Sequence, residues 1–124
     1  MRIPDNLPDD LKAAALSLEP MGLSTSAWSL KDTEKLIDFI YKDQPGAVIL
    51  GGDLYEVTDG KFESRIENWH YNPTDRADDS QLSREKALEA LKVYATFPAA
   101  DKLYIDLVAQ PYYDSYANES DPLE

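Results

Sequence analysis

Asp59-Gly60 lies between two stretches, 54–58 and 61–66, that read as strands. That dipeptide is a strong short-range signal for a two-residue β-hairpin. A hairpin makes its two arms antiparallel neighbours, so the middle of this chain must contribute an antiparallel pair to a sheet. Ala47-Val48-Ile49-Leu50 adds a buried run upstream, and 68–71 extends the second arm after an irregularity. The polar, acidic stretch 73–79 reads as a loop.

Helical periodicity flanks this sheet. Over 30–42, Thr33, Leu36, Ile37, Ile40 and Tyr41 share one side, with Lys31, Glu34, Lys35 and Asp38 on the other. Ser29 and Asp32 form the Ser-x-x-acid pattern of a capping box at its start, and Gln44-Pro45-Gly46 ends it. A second helix is expected over 81–96, started by Asp79 or Ser80. Its stripe is Leu82, Ala87, Leu88, Leu91, Tyr94 and Ala95, and Phe97-Pro98 stops it. A shorter helix is expected over 8–18, carried by Leu11, Ala14, Ala15 and Leu18 and broken by Glu19-Pro20-Met21-Gly22. The alternation over 103–108 suits a last strand with one wetter face.

The expected order is therefore α-α-β-β-β-α-β. It defines an α+β fold, a small, mostly antiparallel sheet with helices packed on one face. A length of 124 residues fits one domain. We place that domain at 1–110, followed by an acidic, Tyr-rich C-terminal tail at 111–124.

Charge narrows the function. Twelve Lys and Arg stand against twenty-four Asp and Glu, a net charge of −12. Such a chain repels nucleic acid and anionic membranes and meets basic partners quickly. There is no cysteine, which excludes disulfides and thiolate chemistry. The start, Met1-Arg2-Ile3-Pro4-Asp5, is not a signal peptide, and no apolar run is long enough to span a bilayer. A soluble, cytoplasmic protein is the expectation.

No catalytic constellation is visible. The single histidine, His70, has no partner that the sequence nominates, and one histidine without cysteine does not make a zinc site. No phosphate-binding Gly pattern, nucleophile elbow or metalloprotease motif occurs. With twenty-four acids, paired carboxylates arise by chance and carry no information. Gly51-Gly52-Asp53 superficially resembles the diguanylate cyclase signature, but Leu54-Tyr55 replaces the Glu-Phe pair and the chain is too short. Two glycines there serve better as a bulge or a positive-φ kink, with Asp53 hydrogen-bonding the turn. The expectation is a protein that is not an enzyme and takes no cofactor and no metal.

Ile49-Leu50-Gly51-Gly52-Asp53-Leu54-Tyr55, followed by Glu67-Asn68-Trp69-His70-Tyr71, resembles the bacterial proteins grouped as immunity protein family 40. These are encoded beside polymorphic toxins. The resemblance runs over roughly 21–110 and leaves out the first helix and the tail. It implies a protein that binds and neutralises a cognate toxin domain. Within the shared motif, Gly51, Gly52, Asp53, Tyr55, Asn68 and Trp69 have the character of scaffold. Recognition is expected on variable surface elsewhere.

A basic toxin, such as a nuclease, would be drawn to an acidic surface whose carboxylates stand in for phosphates. Two segments combine acids with the residue types of interface hot spots. One is the loop carrying Asp75, Asp78 and Asp79. The other is the tail with Tyr112, Tyr113, Asp114 and Tyr116. Three other readings remain open. The loop acids also suit the positive end of a helix, and the tail could be a solvated end. The same chemistry fits an acidic mimic of DNA with no toxin partner. An oligomerisation module would require an apolar open face on the sheet.

Overall fold

The structure is a computed structural model, and it describes residues 1–110. Five strands form one sheet in the order β1-β2-β5-β3-β4, antiparallel at every pairing. In chain order the elements are α1 (Asp9–Ala14), β1 (Leu16–Ser17), β2 (Ser26–Ser29), α2 (Leu30–Asp43), β3 (Val48–Thr58), β4 (Lys61–His70), α3 (Asp79–Tyr94) and β5 (Leu103–Gln110). Two single 3₁₀ turns, Glu19–Met21 and Ala100–Lys102, complete the described residues.

Both long helices lie on one face of the sheet. Leu36, Ile37 and Ile40 of α2 and Ala87, Leu91 and Tyr94 of α3 are buried with Ile49, Leu54, Trp69, Leu103, Ile105 and Leu107. Each of these follows the expected period, 3.6 residues on the helices and two along β5. Ser29 caps α2, accepting the Asp32 N–H at 3.2 Å. The other face carries a smaller cluster of Leu18, Ala27 and Tyr55, with Met21, Phe62 and Tyr104 packed beside it.

The α+β class, the antiparallel sheet and the hairpin at Asp59-Gly60 stand as the sequence implied, and the element list is corrected at three places. The first helix ends at Ala14, because the chain turns extended at Ala15 to pair Leu16 with Ala27. Leu18 thereby leaves the helical stripe and is buried on the opposite face. Two short strands, β1 and β2, are added on that side. The segments 47–50 and 54–58, read as two strands, are one strand. The glycines between them produce a bulge between Ile49 and Gly51 without ending the pairing.

Trp28 ties the N-terminal segment down. Its ring is fully buried, and its Nε1 donates to the Leu11 carbonyl at 2.8 Å. The Met1 ammonium enters the fold as well, donating to the Ser26 carbonyl at 3.0 Å and pairing with the Asp106 carboxylate. Thr25 Oγ1 donates to the other Asp106 oxygen at 2.8 Å. A buried carboxylate is tolerable only with such partners, and this is why the wetter face of β5 contains a buried acid.

Candidate functional site

The two halves of the sequence motif meet across β3 and β4. Gly51 pairs with His70, Gly52 with Trp69 and Asp53 with Asn68. Gly51 has φ +151°, and a Cβ there would collide with the Trp69 carbonyl. A Cβ on Gly52 would come within 2.8 Å of both Ile105 Cγ2 and the Trp69 ring. The glycines thus admit Trp69 into the core against Tyr94, whose ring centroid lies 6.3 Å away. Tyr55 is buried on the opposite face.

Asp53 and Asn68 are exposed at the surface of the sheet. The Asp53 carboxyl titrates above its ordinary value, first through desolvation by the strands around it and then through neighbouring Asp106. The Met1 ammonium and His70 oppose that shift. Asp53 and His70 line one small hollow with Leu50, the two glycines, Trp69 and Val108. Among the described residues, no group of three or more His, Asp or Glu is placed to hold a metal ion.

The loop between β4 and α3 is organised by one carboxylate. Asp79 Oδ1 accepts the Tyr71 hydroxyl at 2.6 Å and Thr74 Oγ1 at 2.8 Å. Its Oδ2 accepts the N–H groups of Thr74 at 2.9 Å and Arg76 at 3.3 Å. The Tyr71 hydrogen bond is the largest of the effects that hold Asp79 at about 2. Tyr71 in turn is pushed up to about 12, chiefly by donating to Asp79. At 5% exposure, Asp79 is not a surface acid. It draws the loop inward around itself, which corrects its placement beside Asp75 and Asp78 as an outward-facing acid.

Asp75 and Asp78 remain on the surface. Asp75 adopts φ +60°, a left-handed conformation that Asp tolerates better than most residues. Asp78 is partly exposed and pairs with Arg76 at 2.9 Å. Asp78, with Ala77, Ser80 and Gln81, forms one wall of a shallow groove whose other wall is Tyr41, Lys42 and Pro45 from the end of α2. Arg84 lies 5.0 Å over the Tyr41 ring and is held by Asp38 at 2.7 Å. Tyr41, read from sequence as part of the apolar stripe, keeps 38% exposure. Its place at the very end of the helix, beside Lys42 and Asp43, was the available signal. Tyr112, Tyr113, Asp114 and Tyr116 lie outside the described residues.

The fold and this surface define a small α+β domain, with an acidic loop and a partly exposed tyrosine beside one groove. Residues 17–109 match the family model of Immunity protein 40, and the chain belongs to that family. No curated protein and no solved structure matches it. Family membership makes this an immunity protein, a class whose partner is a cognate toxin. No helix among the described residues is long and apolar enough to cross a membrane.

Proposed function

We propose that this protein neutralises its toxin in the cytoplasm by laying an acidic surface over a basic region of the toxin, such as a nuclease cleft. The observation that carries this reading is the loop of residues 71–79. Its internal carboxylate, Asp79, holds the backbone in place while Asp75 stays exposed and the partly exposed Asp78 lines the Tyr41 groove. A loop ordered before binding avoids the entropy cost of being ordered on binding. Exposed acids on a chain of net charge −12 steer a basic partner toward it. Tyr41 supplies an aromatic anchor of the kind that dominates interface energetics. The tail residues Tyr112, Tyr113, Asp114 and Tyr116 are proposed as a second contact, on composition alone.

The test is co-expression with the product of the adjacent upstream gene, followed by pull-down and a growth assay. Rescue of growth with a stable one-to-one complex supports the reading. A toxic neighbour that binds elsewhere, with Asp75 and Asp78 still freely exchanging and titratable in the complex, would remove the acidic loop from the mechanism. A nucleic-acid-binding protein captured in place of any toxin would favour an acidic mimic of DNA.

A further inference from the structure

β4 is the outer strand of the sheet and, among the described residues, pairs only with β3. Its register breaks in the middle. Asp53 faces Asn68 and Tyr55 faces Ser64, so Leu54 alone is opposed by Arg65, Ile66 and Glu67. This bulge is clamped. Arg65 donates to Glu56 at 2.8 Å and to the two carboxylate oxygens of Glu67 at 3.1 Å each. The Arg65 guanidinium also lies 5.8 Å over the Phe97 ring. Arg65 and Glu67 are half-buried, and Ile66 between them is 94% exposed.

A single exposed apolar side chain is ordinary on a protein surface. The placement of this one is not. Outer strands are protected by bulges and charge, because an open edge recruits other strands. The bulge already breaks the edge against strand addition, and a Lys or Glu at its apex would protect further. Instead a clamp of three charge-assisted hydrogen bonds holds a β-branched apolar side chain outward. Such a side chain has few rotamers to lose on binding.

We infer that Ile66 is a docking knob for the cognate toxin. It seats in an apolar pocket on the toxin, with Lys or Arg of the toxin meeting the glutamates carried by β3 and β4. Charge complementarity selects this occupant, since Arg65 is outnumbered by Glu56 and Glu67, which it contacts, and Glu63 lies opposite Glu56 on a chain of net charge −12. A second copy would bring its own glutamates against them. The inference deepens the proposal above and rests on a toxin being the partner. β4 ends at His70, four residues beyond Ile66, or about 13 Å of strand at roughly 3.3 Å per residue. The acidic loop follows directly in the chain.

The test uses the full chain carrying Ile66→Asp, with Ile66→Ala as the milder variant, against the toxin domain encoded by the adjacent gene. Thermal melting should be unchanged for both, because the side chain is already in solvent. Binding should weaken about tenfold or more for Ile66→Asp, mainly through faster dissociation, as expected for an interface anchor. Wild-type affinity in Ile66→Asp would overturn the knob while leaving the toxin complex intact. Failure of the unaltered protein to bind would instead remove the toxin reading, and the knob with it. A concentration-dependent dimer that Ile66→Asp dissolves in sedimentation would make a second copy the occupant and overturn the proposal.

Discussion

The Tyr71 hydroxyl donates to Asp79 Oδ1 at 2.6 Å, joining the end of β4 to the first turn of α3 across the loop between them. The contact gives the loop a defined pH response. Asp79 is held at about 2, below the ordinary Asp value of about 3.9. An unfolded chain therefore takes up a proton before the folded one does. The carboxylate's contribution to stability is complete above the ordinary value and is lost as pH falls toward 2. Tyr71 is the mirror case: its contribution is complete below about 10 and is lost as pH rises through about 12.

Tyr71→Phe removes the largest cause of the low Asp79 value. Its acid-unfolding limb should move to higher pH, and the alkaline loss belonging to Tyr71 should vanish. Urea unfolding midpoints measured from pH 2 to 6 and from 9 to 12 check both. An acid limb identical to that of the unaltered protein would show that the Thr74 hydroxyl and the backbone N–H groups of Thr74 and Arg76 set the titration.

Gly51 and Trp69 form a second coupled pair. Ala at position 51 must adopt a positive φ and must also displace a backbone carbonyl of the neighbouring strand. We expect Gly51→Ala to destabilise by about 3 kcal/mol or more, combining strain with overpacking. Trp69→Ala should cost about 3–5 kcal/mol through the cavity it leaves. Gly60 is the control: its φ is +79° but a Cβ would meet nothing within 4 Å, so Gly60→Ala should cost only about 1–2 kcal/mol. Urea denaturation of the three variants ranks them, and a harmless Gly51→Ala would mean that the bulge can be rebuilt.

Two neighbouring serines should behave oppositely. Ser83 Oγ is buried, accepts the Ile49 N–H at 2.9 Å and donates to the Ser80 carbonyl at 3.0 Å. Ser83→Ala strands a buried N–H on β3 and should cost about 1–3 kcal/mol. Ser80 Oγ is buried with no hydrogen-bond partner among the described residues, so Ser80→Ala should be neutral or slightly stabilising. Melting temperatures of the two variants, measured together, decide the point.

What could be read from the sequence follows how local each determinant is. Leu36, Ile37 and Ile40 repeat at helical spacing and are buried where that spacing puts them. Asp59-Gly60 marks its turn by backbone preference alone. Ser26–Ser29 carries no such mark, because Ala27 and Trp28 are both buried, one on each face, and alternation disappears. Leu16–Ser17 exists only because Ala27 and Ser26 lie opposite. The inward turn of Asp79 is equally non-local: Asp75, Asp78 and Asp79 look alike until Tyr71 and Thr74 select one of them. The exposure of Ile66 depends on a register shift against β3 that no period in β4 announces.

Asp75 and Asp78 lie at the surface of the loop, so reversing their charge tests steering. The left-handed φ of Asp75, the Asp78–Arg76 pair and the helix N-terminus at Asp78 give the reversal a cost in stability that melting temperature reads separately. Asp75→Lys with Asp78→Lys changes the net charge by four units, from −12 to −8, and places the change where the toxin is proposed to approach. Rim charges act mainly on the rate of encounter. Association with the toxin should slow by about tenfold at low salt, and its dependence on ionic strength should flatten. Dissociation should change less. Asp79→Asn, by contrast, should loosen the loop and lower the melting temperature, because the Tyr71 and Thr74 contacts lose their charged acceptor. Stopped-flow association across a salt series separates the two effects. An unchanged rate and slope in the double reversal would put the loop outside the encounter surface, and the tail or β4 would then have to supply it.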